Sequence, residues 1–79
     1  MSHTDLRMEE QERIAALSQR EREVLVLLAE GFSAKEIARR LSIAESTAGV
    51  HLARIYEKLG VNKAVIAVRF AIRAGLVEP

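Results

Sequence analysis

The stretch Ser33–Lys58, SAKEIARRLSIAESTAGVHLARIYEK, leaves this chain few ways to fold. Ser33 and Glu36 satisfy S-x-x-E, in which each side chain covers a backbone donor of the other at a helix start. Ala34, Ile37, Ala38 and Leu41 then recur at helical spacing. Leu41-Ser42-Ile43 interrupts the run, and Ile43 is placed to fill the corner. A second helix follows over about residues 45–59, with Ala48, Leu52, Ile55 and Leu59 at steps of four, three and four. That stripe packs on a core and leaves the opposite face free. Helix, tight turn and longer helix make the shape of a helix-turn-helix, whose second helix enters the major groove of DNA.

The rest of the chain frames that unit. With 79 residues it forms one domain around one modest core. Hydrophobic residues make up 49% and aromatics 4%, so the core should be aliphatic. No cysteine is present, which removes disulfides and thiolate metal sites. His3 and His51 stand far apart without metal-ligand spacing, so no metal or cofactor is expected. No apolar run reaches the roughly 18 residues of a membrane span, and the first residues do not resemble a signal peptide. The expected setting is the cytoplasm, with no membrane partner.

Residues 1–17 carry Arg7 and Arg13 against Asp5, Glu9, Glu10 and Glu12, a net −2, which leaves +3 on residues 18–79. That balance is too mild to argue for nucleic acid by itself. Residues 1–17 read as a charged leader or linker; a helix carrying Leu6, Ile14 and Leu17 over part of it is the alternative. Ser18 opens a second S-x-x-E box with Glu21, and the helix from Gln19 to Glu30 buries Val24, Leu25 and Leu28. Gly31, Gly60 and Gly75 each stand where a helix should end. Asn62 is the expected cap of a last helix, roughly 63–74, and Leu76 is expected to fold back onto the core. The expectation is an all-α, compact four-helix helix-turn-helix domain with a polar N-terminal leader.

LSQREREVL (17–25), EGFSAKEIARRL (30–41) and VHLARIYEKLGV (50–61) together resemble the LuxR-type DNA-binding domain, also called GerE- or NarL-type. The resemblance covers about Leu17–Leu76. It implies a four-helix domain of a bacterial transcription regulator that binds double-stranded DNA. The third helix of such a domain reads the major groove and the fourth supports a homodimer, with RNA polymerase a further partner. By that resemblance Gly49, Val50 and Ala53 occupy base-reading positions, with Ser46 on the same face. Thr47, Arg54 and Lys58 take phosphate or peripheral positions, and His51 lies on their flank. Ser33 and Lys35 match backbone-phosphate positions, and Lys63 adds one at the start of the last helix. If Val68, Ala71 and Ile72 face the core, then Ile66, Arg69, Phe70 and Arg73 face outward as the dimerisation surface.

The chain also departs from the family. Gly49 stands where Lys, Arg or Glu is common, Ala53 where polar or basic residues are, and Ala44 where Ser often caps the recognition helix. Ser46 or Glu45 would compensate by starting that helix later. Val50 can touch a thymine methyl, but bidentate base contacts need Arg, Lys, Asn or Gln, and Arg54 is the best remaining candidate. The glutamates Glu21, Glu23 and Glu36 read as helix-start charges or internal ion pairs. Two other readings compete: a promoter-binding module like sigma region four, and a protein-interaction module on a helix-turn-helix scaffold. No nucleophile, base and orienting group converge, so no catalytic residue is assigned.

Overall fold

Both S-x-x-E boxes close in the computed structural model. Ser18 Oγ accepts from the Glu21 N–H at 3.1 Å, and the Ser18 N–H donates to Glu21 Oε1 at 2.8 Å. Ser33 and Glu36 exchange the same pair of bonds at 3.2 and 3.0 Å. These caps start the second and third of five helices: α1 (His3–Ala15), α2 (Gln19–Ala29), α3 (Ala34–Leu41), α4 (Glu45–Leu59) and α5 (Ala64–Arg73). The structure describes residues 3–78, with side chains from Glu9 onward, so the expected place of Leu6 in an apolar stripe lies outside the described residues, as does the side chain of His3. Among the described residues there is no strand.

Helices α2 to α5 all end in one way. An N–H two or three residues past the helix reaches back to a carbonyl five residues earlier: Phe32 to Leu27, Ile43 to Ala38, Val61 to Tyr56 and Leu76 to Ala71, at 2.9–3.2 Å. The residue before each donor is left-handed, with φ of +99° at Gly31, +69° at Gly60 and +79° at Gly75. At the turn between α3 and α4 that residue is Ser42, with φ of 56°. A side chain there costs about 1–2 kcal/mol relative to glycine. The four donors are all apolar and pack against the core, so each helix end is sealed as well as capped. Ile43 fills the corner as its position suggested.

Helix α4 is the hub and packs against each of the other four. Its buried stripe is Ala48, Leu52, Ile55 and Leu59, the set read from spacing. Around it lie Val24 and Leu25 of α2, Ile37 and Ala38 of α3, and Leu17 ahead of α2. Burying each large aliphatic side chain contributes about 1.5–3 kcal/mol. Leu28 is only half-buried.

Three expectations need correction. The domain has five helices rather than four, because residues 3–15 form α1. It is held by Ile14 and Leu17 in the apolar cluster, by Arg13 Nη1 donating to the Leu59 carbonyl at 3.2 Å, and by an ion pair of Glu10 with Arg73 at 3.3 Å. Helix α4 starts no later than Glu45: Ala44 is its cap residue and makes no side-chain cap bond, so Ser46 and Glu45 do not compensate. The cap of α5 is Lys63, not Asn62, again without a side-chain bond.

Candidate nucleic-acid interface

The surface of α4 away from the core consists of two rows with the rhythm of the core stripe. Thr47, His51, Arg54 and Lys58 each precede a core residue by one position, and Ser46, Val50, Ala53 and Glu57 precede one by two. At about 100° per residue the first row lies on the flank and the second lies opposite the core. All eight are exposed except His51, which is half-buried. The outer row is almost without chemistry at its start: Val50 is 50% exposed, and a Cβ built on the neighbouring Gly49 would meet nothing within 4 Å. Glu57 closes that row. Sequence reasoning stopped at Ala53, although one more step of four residues reaches this carboxylate.

The flank row is more occupied than its sequence suggests. Lys58 Nζ donates to Glu21 Oε1 at 2.7 Å and to the Ala16 carbonyl at 3.1 Å. Two of its three donors therefore tie the end of α4 to the α1–α2 junction. Glu21 is 3% exposed. Burial pushes its carboxyl up, but the Lys58 ammonium and the Ser18 N–H outweigh that and hold it below the ordinary value. Glu21 is thus both a helix-start charge and an internal ion pair, as its position at the box suggested. Arg54 shares a surface cleft with Glu21, Glu57 and Lys58. His51 Nδ1 is enclosed and has no hydrogen-bond partner. The tautomer with its hydrogen on Nε2 avoids an enclosed, unsatisfied N–H, and we assign it on that ground.

At the start of α3 the capping box occupies the N–H of Ser33 and that of Glu36. The donors left for an anion are those of the first helical turn between them, at Ala34 and Lys35, and the exposed Lys35 side chain stands beside them. The Glu36 carboxylate lies below its ordinary range, held first by the Ser33 N–H and next by the Ser33 side chain. Lys63 is exposed at the opposite end of the turn that follows α4. Arg40, which had no assigned role, stacks over Phe32 with its guanidinium carbon 4.0 Å from the ring centroid.

Helix α5 does not present the surface expected of it. Phe70 is buried, 9% exposed, and packs in the core with Ala67 and Ala71. The two alanines admit close approach, and the ring fills the space between helices. Val68 and Ile72, assigned inward from spacing, are half-buried. Phe70 is therefore not an outward-facing residue. Ile66 and Arg69 are exposed as expected, and so is Val65 at 59%, which sequence reasoning missed. Arg73 is exposed but pairs with Glu10. No signal separates these faces, because all but two residues of AVIAVRFAIR are apolar.

Among the described residues no three His, Asp or Glu side chains cluster to hold a metal, and no helix is long and apolar enough to cross a membrane.

With this geometry in hand, comparison with known proteins gives concordant matches. Residues 15–71 match the family described as "Bacterial regulatory proteins, luxR family" (GerE). The chain is 48% identical over 62 residues to the probable transcriptional regulatory protein NarL of Mycobacterium tuberculosis, covering 78% of this chain and 29% of that protein. It is 39% identical over 62 residues to the oxygen regulatory protein NreC of Staphylococcus aureus, with the same coverage. It is 35% identical over 68 residues to the probable transcriptional regulatory protein SgaR of Hyphomicrobium methylovorum, covering 86% of this chain and 32% of that protein. The chain thus spans under a third of the length of these curated relatives. A match that begins at the end of α1 and runs into α5 makes the chain a member of the LuxR family of bacterial regulatory proteins, a helix-turn-helix DNA-binding domain of the kind found in transcription regulators.

Proposed function

We propose that this domain binds double-stranded DNA in the bacterial nucleoid, as a homodimer, to regulate transcription. Helix α4 lies in the major groove in this reading. The outer row carries it: a helix with one face wholly buried and the opposite face wholly exposed, directly after a capped helix start with free donors. Gly49, Val50 and Ala53 with Ser46 face base edges. Lys35, Arg54 and Lys63 hold phosphates, assisted by Ser33, Thr47 and the Nε2–H of His51. Lys58 contributes less, because Glu21 already neutralises it. Residues 18–79 form the binding body and α1 a leader helix packed on it. RNA polymerase is the further partner of such a regulator on DNA.

The dimer contact falls on Val65, Ile66 and Arg69 of α5, with Arg73 at its edge and Phe70 behind it in the core. Two copies joined there would set their α4 helices about 34 Å apart, so that both enter successive major grooves on one face of the duplex.

The test is a mobility shift at low salt with random and promoter fragments, followed by salt titration. Replacing Lys35, Arg54 or Lys63 with Ala should weaken binding to all sequences and reduce the salt slope by about one unit each. Lys58→Ala should reduce it by clearly less. No shift at any salt would support the competing reading, a protein-interaction module, which the bare row at Gly49, Val50 and Ala53 favours.

A further inference from the structure

Glu57 is the only formal charge in the outer row of α4, and it is an acid on a surface read as facing a polyanion. It is exposed, and among the described residues no cation lies within ion-pair distance of it. Its row-mates Ser46, Val50 and Ala53 lie on the same line along the helix, opposite the buried stripe. Eleven residues at about 1.5 Å each put Glu57 some 16 Å along the axis from Ser46. That exceeds the roughly 12 Å width of the major groove. With its first turns on base edges and its axis running across the groove, the helix would carry Glu57 past the groove floor to the phosphate wall. There it shares a cleft with Arg54 and Lys58, the two cations of the flank row, one of which is already neutralised by Glu21. The second half of the recognition helix thus brings two bases against two acids, Glu21 and Glu57.

We propose that Glu57 is an interface residue that limits the affinity of a single domain by repulsion. It holds down the attraction of α4 for phosphates of any sequence, so that occupancy depends on two domains binding together rather than on one binding anywhere. A carboxylate within a Debye length of several phosphates is repelled by each, and the repulsion fades with salt. This inference rests on the DNA-binding reading above.

The experiment compares the whole chain with Glu57→Gln and Glu57→Lys on one random-sequence duplex and on a paired site selected by the unaltered domain. Glu57→Gln keeps the shape and removes the charge. It should tighten random-duplex binding roughly three- to tenfold at about 50 mM salt and show little gain near 200 mM. At a concentration that already saturates the paired site, it should also raise occupancy of a single half-site. Glu57→Lys should tighten further and steepen the salt slope by about one unit. Thermal melting of Glu57→Gln should match the unaltered domain. The proposal is overturned if Glu57→Gln binds random duplex no more tightly at low salt, or if it loses a base preference at one position of the selected site, which would make Glu57 a reader. An unaltered domain that binds no duplex refutes the DNA-binding reading and this inference with it; one that binds while Glu57→Gln matches it refutes this inference alone.

Discussion

Replacing Glu21 with Gln isolates the contact that joins the α1–α2 junction to the end of the recognition helix. The glutamine carbonyl still accepts from the Ser18 N–H, so the capping box survives. What is lost is the charge opposite Lys58 Nζ, now at 2.7 Å. Removing one partner of a fully buried pair costs about 3–5 kcal/mol. Here only one side is buried: the Glu21 side chain is 4% exposed and that of Lys58 37%. Solvent and the Ala16 carbonyl soften the loss for Lys58, which brings the expected cost to about 1.5–2.5 kcal/mol, near the worth of one charge-assisted hydrogen bond. For a domain of this size that is a fall of roughly 6–20 °C in Tm. A double-mutant cycle with Lys58→Met should give a coupling of about 1–2 kcal/mol. The pH dependence has a definite sign. Net, the contacts depress the carboxyl below its ordinary 4.5, so its stabilisation is present above about that pH and is lost as pH falls through the lower folded value. The stability gap between the unaltered domain and Glu21→Gln should therefore close in acid. Denaturant melts at neutral pH and near pH 3 measure it. A coupling below about 0.3 kcal/mol, or a gap of unchanged size in acid, would refute this account of the clamp.

Gly49→Ala should stabilise the fold by about 1 kcal/mol, since the added Cβ enters open space in a helix interior; Gly49→Lys should tighten DNA binding by restoring a reader, and weaker binding at matched salt would show that bare backbone is required there. Ala44→Asp should add about 0.5–2 kcal/mol by supplying the side-chain cap that α4 lacks, read by thermal melting. Gly60→Ala should destabilise by 1 kcal/mol or somewhat more, because φ is +69° and the new Cβ would lie 3.3 Å from Arg13 Nη1. Phe70→Glu should unfold the domain, whereas Ile66→Glu should leave its circular dichroism intact and reduce cooperative binding to paired half-sites; a folded Phe70→Glu domain would contradict the packing of α5.

What sequence reasoning recovered is what is local. Both capping boxes, three of the four left-handed helix ends and the α4 core stripe are written in residues at most a few positions apart, and the structure realises them all. What it missed is held by distant partners. HTDLRMEEQERIA is mostly polar, and nothing in it announces that Arg13 will meet the Leu59 carbonyl or Glu10 will meet Arg73. Ser42 is left-handed although serine carries no such preference, because the Ile43 bond and its apolar contact impose it. The faces of α5 were misassigned for the opposite reason: a helix apolar nearly all round offers no periodicity, and only volume decided that Phe70 goes inside. On the face of α4 away from the core, the exposure of Gly49, Val50, Ala53 and Arg54 was legible. The engagement of Lys58 was not, since its partner Glu21 lies 37 residues away.

The same clamp bears on how such a surface can bind DNA at all. The outer row offers a serine, a valine, an alanine and an acid, and its neighbour is a glycine, so hydrogen-bonded base readout is almost absent. Of the flank cations, Arg54 remains unengaged among the described residues, while Lys58 is tied to Glu21. In the proposed DNA complex one domain then has only a few phosphate contacts, and each carries a salt penalty of nearly one power of concentration. In the proposed homodimer, affinity at working salt comes from joining domains. Once one is bound, a linked second domain binds at an effective concentration in the millimolar range, which multiplies two weak affinities. That logic accounts for a face that is bare and a helix end that is charge-balanced in one molecule. In the proposed reading both keep the single domain weak, so that a homodimer would read the spacing of paired sites more than contacts to individual bases.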